Sequence, residues 1–219
     1  MLVIDNRDKL KDIMEFKDGT YYKFVCLLRT KDYKESDEEP ILKCMEKQEI
    51  LVKDWLIDSQ EMLDKTLPDM IKFTEMFKCR LYMCTDRKSV VKTLKTMRDT
   101  VQNYLDPFIG NPNADCSVRA IKKICSSATN KDESSDREGR RWLFDVDTKE
   151  DTFILNKLDK KLEDKIIAKL ETKNGWHYIT KKDFDAHKFL KELSQIYDLV
   201  EDDFLIELKD NAMTLIAMG

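Results

Sequence analysis

Two aspartates, Asp145 and Asp147, stand in the run RRWLFDVDTKED, and a histidine, His177, follows in ETKNGWHYIT. If RRWLFDV is a strand, its side chains alternate between two faces, so both carboxylates lie on one side with Cα atoms ~6.5–7 Å apart. Paired carboxylates at that spacing can share hard divalent ions, Mg²⁺ or Mn²⁺, of the kind that clamp a triphosphate and activate an attacking hydroxyl. Leu143 shares their face, while Trp142, Phe144 and Val146 form an apolar face fit to pack on helices. An imidazole opening a neighbouring antiparallel strand can sit beside the acidic end and donate a hydrogen bond to a phosphate oxygen. Asn174-Gly175 supplies a turn before it, and Gly175 allows a ligand close to the backbone. The plainer readings are a strand that ends in acids at a turn, and a lone histidine tied to a backbone carbonyl.

A phosphate site needs local positive charge. The 219 residues carry 39 Lys+Arg against 43 Asp+Glu, a net charge of -4, so the chain as a whole does not attract polyanions. Basic side chains must outnumber carboxylates within about a Debye length, ~8 Å, to do so. Arg80, Arg87, Lys88, Arg140, Arg141, Lys173 and Asn174 are the candidate phosphate contacts, since they flank the acidic and histidine motifs. Singly, each reads as a solvated surface group.

The elements that must position these groups read as α+β, with a mainly antiparallel sheet. Tyr21–Arg29 is a strand, Lys31–Pro40 a polar loop, and 41–56 an ambiguous segment with a strand expected in its first half. Ser59 caps a helix running to Phe77, which Pro68 divides or kinks. Arg80–Cys84 is a strand, and Ser89 caps a helix with apolar residues from Val90 to Leu105 at helical spacing. Cys116–Cys125 is a short amphipathic helix, and Ser126–Arg140 is a mobile polar loop. Beyond it, Arg141–Val146 is a strand, Asp159–Leu170 a helix, Trp176–Thr180 a strand and Asp185–Leu199 a helix. Phe204–Leu208 and Met213–Ala217 form a closing hairpin turned at Asp210-Asn211. The expected organisation is an α/β lobe over 1–125, the loop 126–140, and a module over 141–219, packed as one unit.

A strand of pattern h-h-D-h-D, a helix, and a strand opened by [ST]-x-N-G-x-H together resemble the catalytic core of the archaeo-eukaryotic primase superfamily. Phe144-Asp145-Val146-Asp147 is similar to its acidic motif, and Thr172-Lys173-Asn174-Gly175-Trp176-His177 to its Ser/Thr-x-His motif. The resemblance covers 141–217, with Arg80-Leu81-Tyr82 and Arg87 similar to a basic strand and turn lining the palm. It implies an RRM-like palm, Mg²⁺ or Mn²⁺ on the carboxylates, and His177 on the phosphates of an incoming nucleotide. It also implies a third acid on a later strand, for which Asp202, Asp203, Glu207 and Asp210 compete; Glu207, within an expected strand, is the first choice.

Other classes are unsupported. Five glycines form no G-x-G-x-x-G or P-loop pattern, and there is no G-x-S-x-G elbow. Two histidines and six cysteines make no recognisable zinc set, and His187 reads as a surface residue. Charged residues at positions 5, 7, 8 and 9 leave no signal-peptide core, and no apolar run has membrane-spanning length, so a cytoplasmic protein with reduced thiols is expected. The expected activity is metal-dependent nucleotidyl transfer on nucleotides and single-stranded nucleic acid. The alternatives are a catalytically silent relative that binds nucleic acid or protein, or a helix-rich interaction protein in which both motifs are coincidental.

Overall fold

A computed structural model describes residues 2–29, 32, 49–106, 109, 119–197 and 205–219. Ten strands in these segments form two antiparallel sheets. The first has the order β1 (Ile4–Asp5), β10 (Met213–Met218), β4 (Arg80–Cys84), β2 (Thr20–Arg29), β3 (Glu49–Ile57), with β5 (Lys88–Ser89) also paired to β2. The second has the order β7 (Ile166–Glu171), β8 (Trp176–Lys181), β6 (Arg141–Val146), β9 (Ile206–Asp210). The helices are α1 (Leu10–Ile13), α2 (Gln60–Met76), α3 (Val90–Leu105), α4 (Arg119–Asn130), α5 (Thr152–Leu162) and α6 (Ala186–Tyr197). The α+β class is as expected, and among the described residues no helix is long and apolar enough to cross a membrane.

Period-two alternation assigns the faces of the second sheet. Trp142, Phe144, Val146 and Tyr178 bury against Ile154, Leu158 and Leu162 of α5 and Leu193 of α6. The opposite face turns Ala168, Leu170 and Ile179 into a larger core with Phe24, Leu81, Met83 and Ile216 of the first sheet, Leu10 and Ile13 of α1, and Leu63, Met70 and Ile71 of α2. The two sheets therefore share one apolar interior. Burying an aliphatic side chain contributes roughly 1.5–3 kcal/mol, so this shared core is what holds the sheets face to face. Asn6 adds a polar latch, its Nδ2 donating to the carbonyls of Glu171 (2.8 Å) and Leu215 (2.9 Å) and its Oδ1 accepting from Glu171 N–H (3.0 Å).

Several elements depart from the sequence expectation. The Ser59 hydroxyl caps α2 by accepting from Met62 N–H, but Pro68 lies inside the helix without ending it. Core packing of Leu63, Met70 and Ile71 on either side of the proline offsets the ~3 kcal/mol it costs. The helix expected over Asp159–Leu170 splits. Asp151 caps α5 by accepting from Phe153 and Ile154 N–H, α5 stops at Leu162, and Ile166–Glu171 is the edge strand β7. The stretch 126–140 is no loop. It holds the end of α4 and a 3₁₀ turn at Asp132–Ser134, with Ala128, Ser134 and Ser135 buried. Its polar groups are satisfied within the stretch, where Ser134 Oγ donates to Ala128 O (2.6 Å), and by distant partners, as where Asp136 accepts from Arg87 (2.5 Å).

The closing hairpin is a corner instead. β9 pairs with β6 of the second sheet and β10 with β4 and β1 of the first, so the chain changes sheets at the turn between them. Asn211 makes that turn at φ 47°, a left-handed conformation that asparagine tolerates. The strand of the 41–56 segment lies in its second half, in β3; its first half, the 31–40 loop apart from Asp32, residues 116–118 and the competing acids Asp202 and Asp203 lie outside the described residues.

Candidate functional site

β6 is the central acidic strand. Its Asp145 lies directly opposite His177 of β8 on one side and Glu207 of β9 on the other. Directly opposed residues of antiparallel strands share a face, so Glu207, Asp145 and His177 form a row across three strands, continued by buried Leu170 of β7. The next row, Lys209, Leu143, Ile179 and Ala168, is apolar except for Lys209. The polar row is thus the boundary where the shared core meets a cleft.

The row is bonded throughout. His177 Nε2 lies 3.2 Å from Asp145 Oδ1, and His177 Nδ1 lies 3.0 Å from Thr214 Oγ1 of β10, a contact that joins the two sheets. The Lys209 ammonium reaches Asp145 Oδ2 at 2.5 Å and Glu207 at 3.1 Å. Burial pushes the Asp145 carboxyl up, but the His177 and Lys209 hydrogen bonds outweigh it and hold the group down to about 2. Lys209 moves the other way: its burial is outweighed by Asp145 and Glu207, and its ammonium is held above the ordinary lysine range.

A cavity of about 900 Å³ opens over this row. Its floor on the second sheet holds Asp145, Asp147, His177, Glu207 and Lys209, and the turn residues Lys173 and Asn174 stand at its rim. The facing wall is the first sheet, with Arg29, Glu49, Arg80 and Tyr82. There the Tyr82 hydroxyl accepts from Arg80 (3.2 Å) and Arg29 (3.3 Å), and Asp32 holds Arg80 through two hydrogen bonds (2.5 and 2.6 Å). Lys173 approaches the same Asp32 at 3.3 Å. The floor is acidic, whereas on the facing wall Arg29 pairs with Glu49 and Arg80 with Asp32, so the cations there are already matched by carboxylates and Lys173 at the rim adds the further positive charge.

The residues singled out in the sequence therefore divide. Asp145, Asp147, His177, Glu207, Arg80, Lys173 and Asn174 line one cavity. Asp147 is exposed just beyond the end of β6, its N–H donating to Leu205 O (2.9 Å). Arg87, Lys88 and Arg141 do not line it. The buried guanidinium of Arg87 binds Asp136 (2.5 Å) and Glu15 (3.0 Å); the buried ammonium of Lys88 donates to Lys131 O, Ser135 Oγ and Asn211 Oδ1; Arg141 donates to the carbonyls of Glu138 and Arg140. Arg140 pairs with Asp132. Arg87 and Lys88 are internal to the fold, and Arg140 and Arg141 are half-buried.

Gly175 also has a different reason than a ligand's approach. A Cβ there would lie 1.8 Å from the carbonyl oxygen of Val146, so the glycine lets the Asn174-Gly175 turn press on the end of β6. Thr172 closes that turn, accepting from Gly175 N–H at 3.0 Å. His187 is exposed, edge-on to Trp142 at 5.7 Å.

Lys209 and Thr214 are the contributors that sequence reasoning missed. Lys209 carried a readable signal, since two positions from Glu207 on a strand means the same face. Thr214 carried none, because its role depends on a strand of the other sheet. Compared with known proteins, the chain matches no protein family, no curated protein and no solved structure.

Proposed function

We propose that the cleft binds a nucleotide and that the protein is a small primase-polymerase-like nucleotidyltransferase acting on nucleotides and single-stranded nucleic acid. One observation carries this reading: Glu207, Asp145 and His177 stand in register on three adjacent strands and face a wall bearing Arg29 and Arg80. The surrounding order supports it. Elements β6-α5-β7-β8-α6-β9 with strand order β7-β8-β6-β9 are a βαββαβ arrangement, the plan of an RRM-like palm.

Carboxylate oxygens are the ligands Mg²⁺ and Mn²⁺ prefer, and Asp145 and Glu207 already hold a cation between them, the ammonium of Lys209. As they stand, Asp145, Asp147 and Glu207 do not bring three ligand atoms within 4.8 Å of one another, so their side chains would have to turn inward to hold the ion, which when bound would neutralise phosphate charge and lower the pKa of an attacking hydroxyl. His177, oriented by Thr214, presents its Nε2–H to the cleft and can donate it to a phosphate oxygen in place of Asp145. Arg80, steadied by Asp32 and Tyr82, supplies a fixed positive charge on the opposite wall. Lys173 supplies a second at the rim, on a more exposed side chain that can adjust.

Lys209 favours a second reading. A site in which a resident ammonium already takes the place of a metal between Asp145 and Glu207 can bind nucleic acid through Lys173 and the arginines of the facing wall, as a catalytically silent module. Incubation with labelled nucleotides, Mn²⁺ and a single-stranded template separates the two. The enzyme reading expects an extension product that vanishes in Asp145→Asn/Asp147→Asn. Absence of product, with nucleotide binding unchanged in that variant, overturns it. Salt-sensitive strand binding with no metal requirement is the signature of the module.

A further inference from the structure

A second group of acids lies at the corner where the chain passes between the sheets, with Asp210 also lining the cleft. Asp86 follows β4, Asp132 opens the 3₁₀ turn, and Asp210 ends β9. One carboxylate oxygen from each lies within 4.8 Å of the others. Asp86 is wholly buried; its Oδ1 accepts from Arg141 N–H at 2.9 Å, and its Oδ2 has no hydrogen-bond partner in the protein. Oδ1 of Asp132 is likewise buried and without a partner.

A buried carboxylate oxygen left without a donor costs roughly 1–3 kcal/mol, and more when charged, so the orphan oxygens of Asp86 and Asp132, two residues that meet at this corner, call for a cation or a proton. The surrounding cations do not serve them. Lys88 spends its three N–H groups on Lys131 O (3.2 Å), Ser135 Oγ (2.8 Å) and Asn211 Oδ1 (2.5 Å). Arg140 and Lys182 pair with the Oδ2 atoms of Asp132 and Asp210, and Asp210 Oδ1 accepts from Asn211 N–H at 2.9 Å.

We propose that Asp86, Asp132 and Asp210 form a structural site for a hard divalent cation, and Ca²⁺, which takes oxygen ligands in flexible geometry, is the probe best suited to it. One carboxylate oxygen from each residue lies close enough to the others to be shared by a single ion. The ion ties the turn after β4, the segment leading into β6 and the β9–β10 corner to one point. Because Arg140 and Lys182 already take up negative charge, affinity falls at the weak end for calcium sites, a Kd of roughly 10⁻⁴–10⁻³ M.

The test uses the full chain carrying Asp145→Asn/Asp147→Asn/Glu207→Gln, so that these cleft acids do not contribute. Titration calorimetry with Ca²⁺ is expected to show a single site per chain, and millimolar Ca²⁺ to raise the melting temperature. Adding Asp86→Asn, or separately the more exposed Asp132→Asn, should weaken Ca²⁺ binding by about tenfold or more and cancel the thermal shift. Unchanged affinity in both variants, or no heat and no shift in the parent, overturns the site. So does a third result, in which Asp86→Asn melts higher than its parent and neither responds to Ca²⁺: the two orphan oxygens would then be sharing a proton.

Discussion

The protein holds two groups of three acids, built on opposite principles. Asp145, Asp147 and Glu207 come from regular strands or their ends, open into a cavity, and have a lysine already seated between two of them. Asp86, Asp132 and Asp210 come from two turns and a strand's last residue, one of them fully buried, and leave two carboxylate oxygens without partners. Strand register gives the first group a spacing that side chains can share with a ligand entering from solvent. The second is partly satisfied by Arg140, Arg141 N–H, Lys182 and Asn211 N–H, and leaves Asp86 Oδ2 and Asp132 Oδ1 over. Accessibility with a removable internal cation suits exchange of a ligand, whereas buried oxygens with missing donors suit a structural ion.

The sharpest way to break this contrast is to remove Asp145. Asp145→Ala strands the half-buried ammonium of Lys209 and the buried ring of His177, so a loss of about 3 kcal/mol in urea unfolding is expected. Mn²⁺-dependent nucleotide binding should weaken at least about 100-fold, a further ~2.7 kcal/mol. Unaltered nucleotide affinity in a folded Asp145→Ala would show that the accessible acids are structural too. Next in size is Gly175→Ala. The added methyl meets the Val146 carbonyl at 1.8 Å, which forces the turn away from β6 and should cost about 2 kcal/mol. Asp147 and Asn174 would be displaced together, so nucleotide affinity should fall even though no ligand-facing group has changed.

How much of this was legible beforehand depends on how local the cause is. Arg141–Val146 was readable to the residue, with its two faces, because strand alternation and an apolar face at Trp142, Phe144 and Val146 are properties of six adjacent residues. The same holds for α3, capped by Ser89 accepting from Lys92 N–H. β7 was misread because LEDKIIAKLE satisfies both periods, and only the shared core waiting for Ala168 and Leu170 decides for strand. Arg87 and Lys88 look like any surface cations in sequence. Their partners Asp136, Glu15, Ser135 and Asn211 are brought in by tertiary structure, which also explains why the polar stretch 126–140 is packed. Within the site, Asp145, Asp147, His177 and Glu207 were each found from strand position. The partnership of Lys209 with two of them needed the register.

Lys209 sharpens the comparison from the other direction. If its ammonium holds the place of a divalent ion, Lys209→Met should raise Mn²⁺ affinity about tenfold, ~1.4 kcal/mol, and an unchanged affinity would show that the ion binds elsewhere. The pH dependence gives an independent check. The folded Asp145 carboxyl lies near about 2, below its unfolded value of roughly 3.9. Its stabilisation is therefore complete above the unfolded value and is lost as pH falls from roughly 4 towards 2. The raised Lys209 contributes below roughly pH 10.4 and loses its share as pH climbs through its folded value. The pair is thus silent across the neutral range. Lys209→Met should move the acid limb of the urea midpoint upward in pH, since one of the two groups holding Asp145 down is gone.

The smallest expected effect concerns the His177–Thr214 hydrogen bond, which ties the acidic row to the other sheet. With Nε2 facing the Asp145 carboxylate at 3.2 Å, that nitrogen must carry the ring proton, so in the neutral ring Nδ1 accepts from the Thr214 hydroxyl. Thr214→Val keeps the shape and removes the donor, leaving a buried Nδ1 unsatisfied at a cost of about 1 kcal/mol. Thr214→Ser should restore it. A packing role alone would reverse that ranking, because valine fills the threonine's space and serine does not. Nitrogen chemical shifts of His177 add a reading that stability cannot give: the valine variant should lose the bias towards the Nε2–H form, whereas serine keeps it. If the bias survives in the valine variant, Asp145 alone orients the ring, and the acidic row is complete within its own sheet.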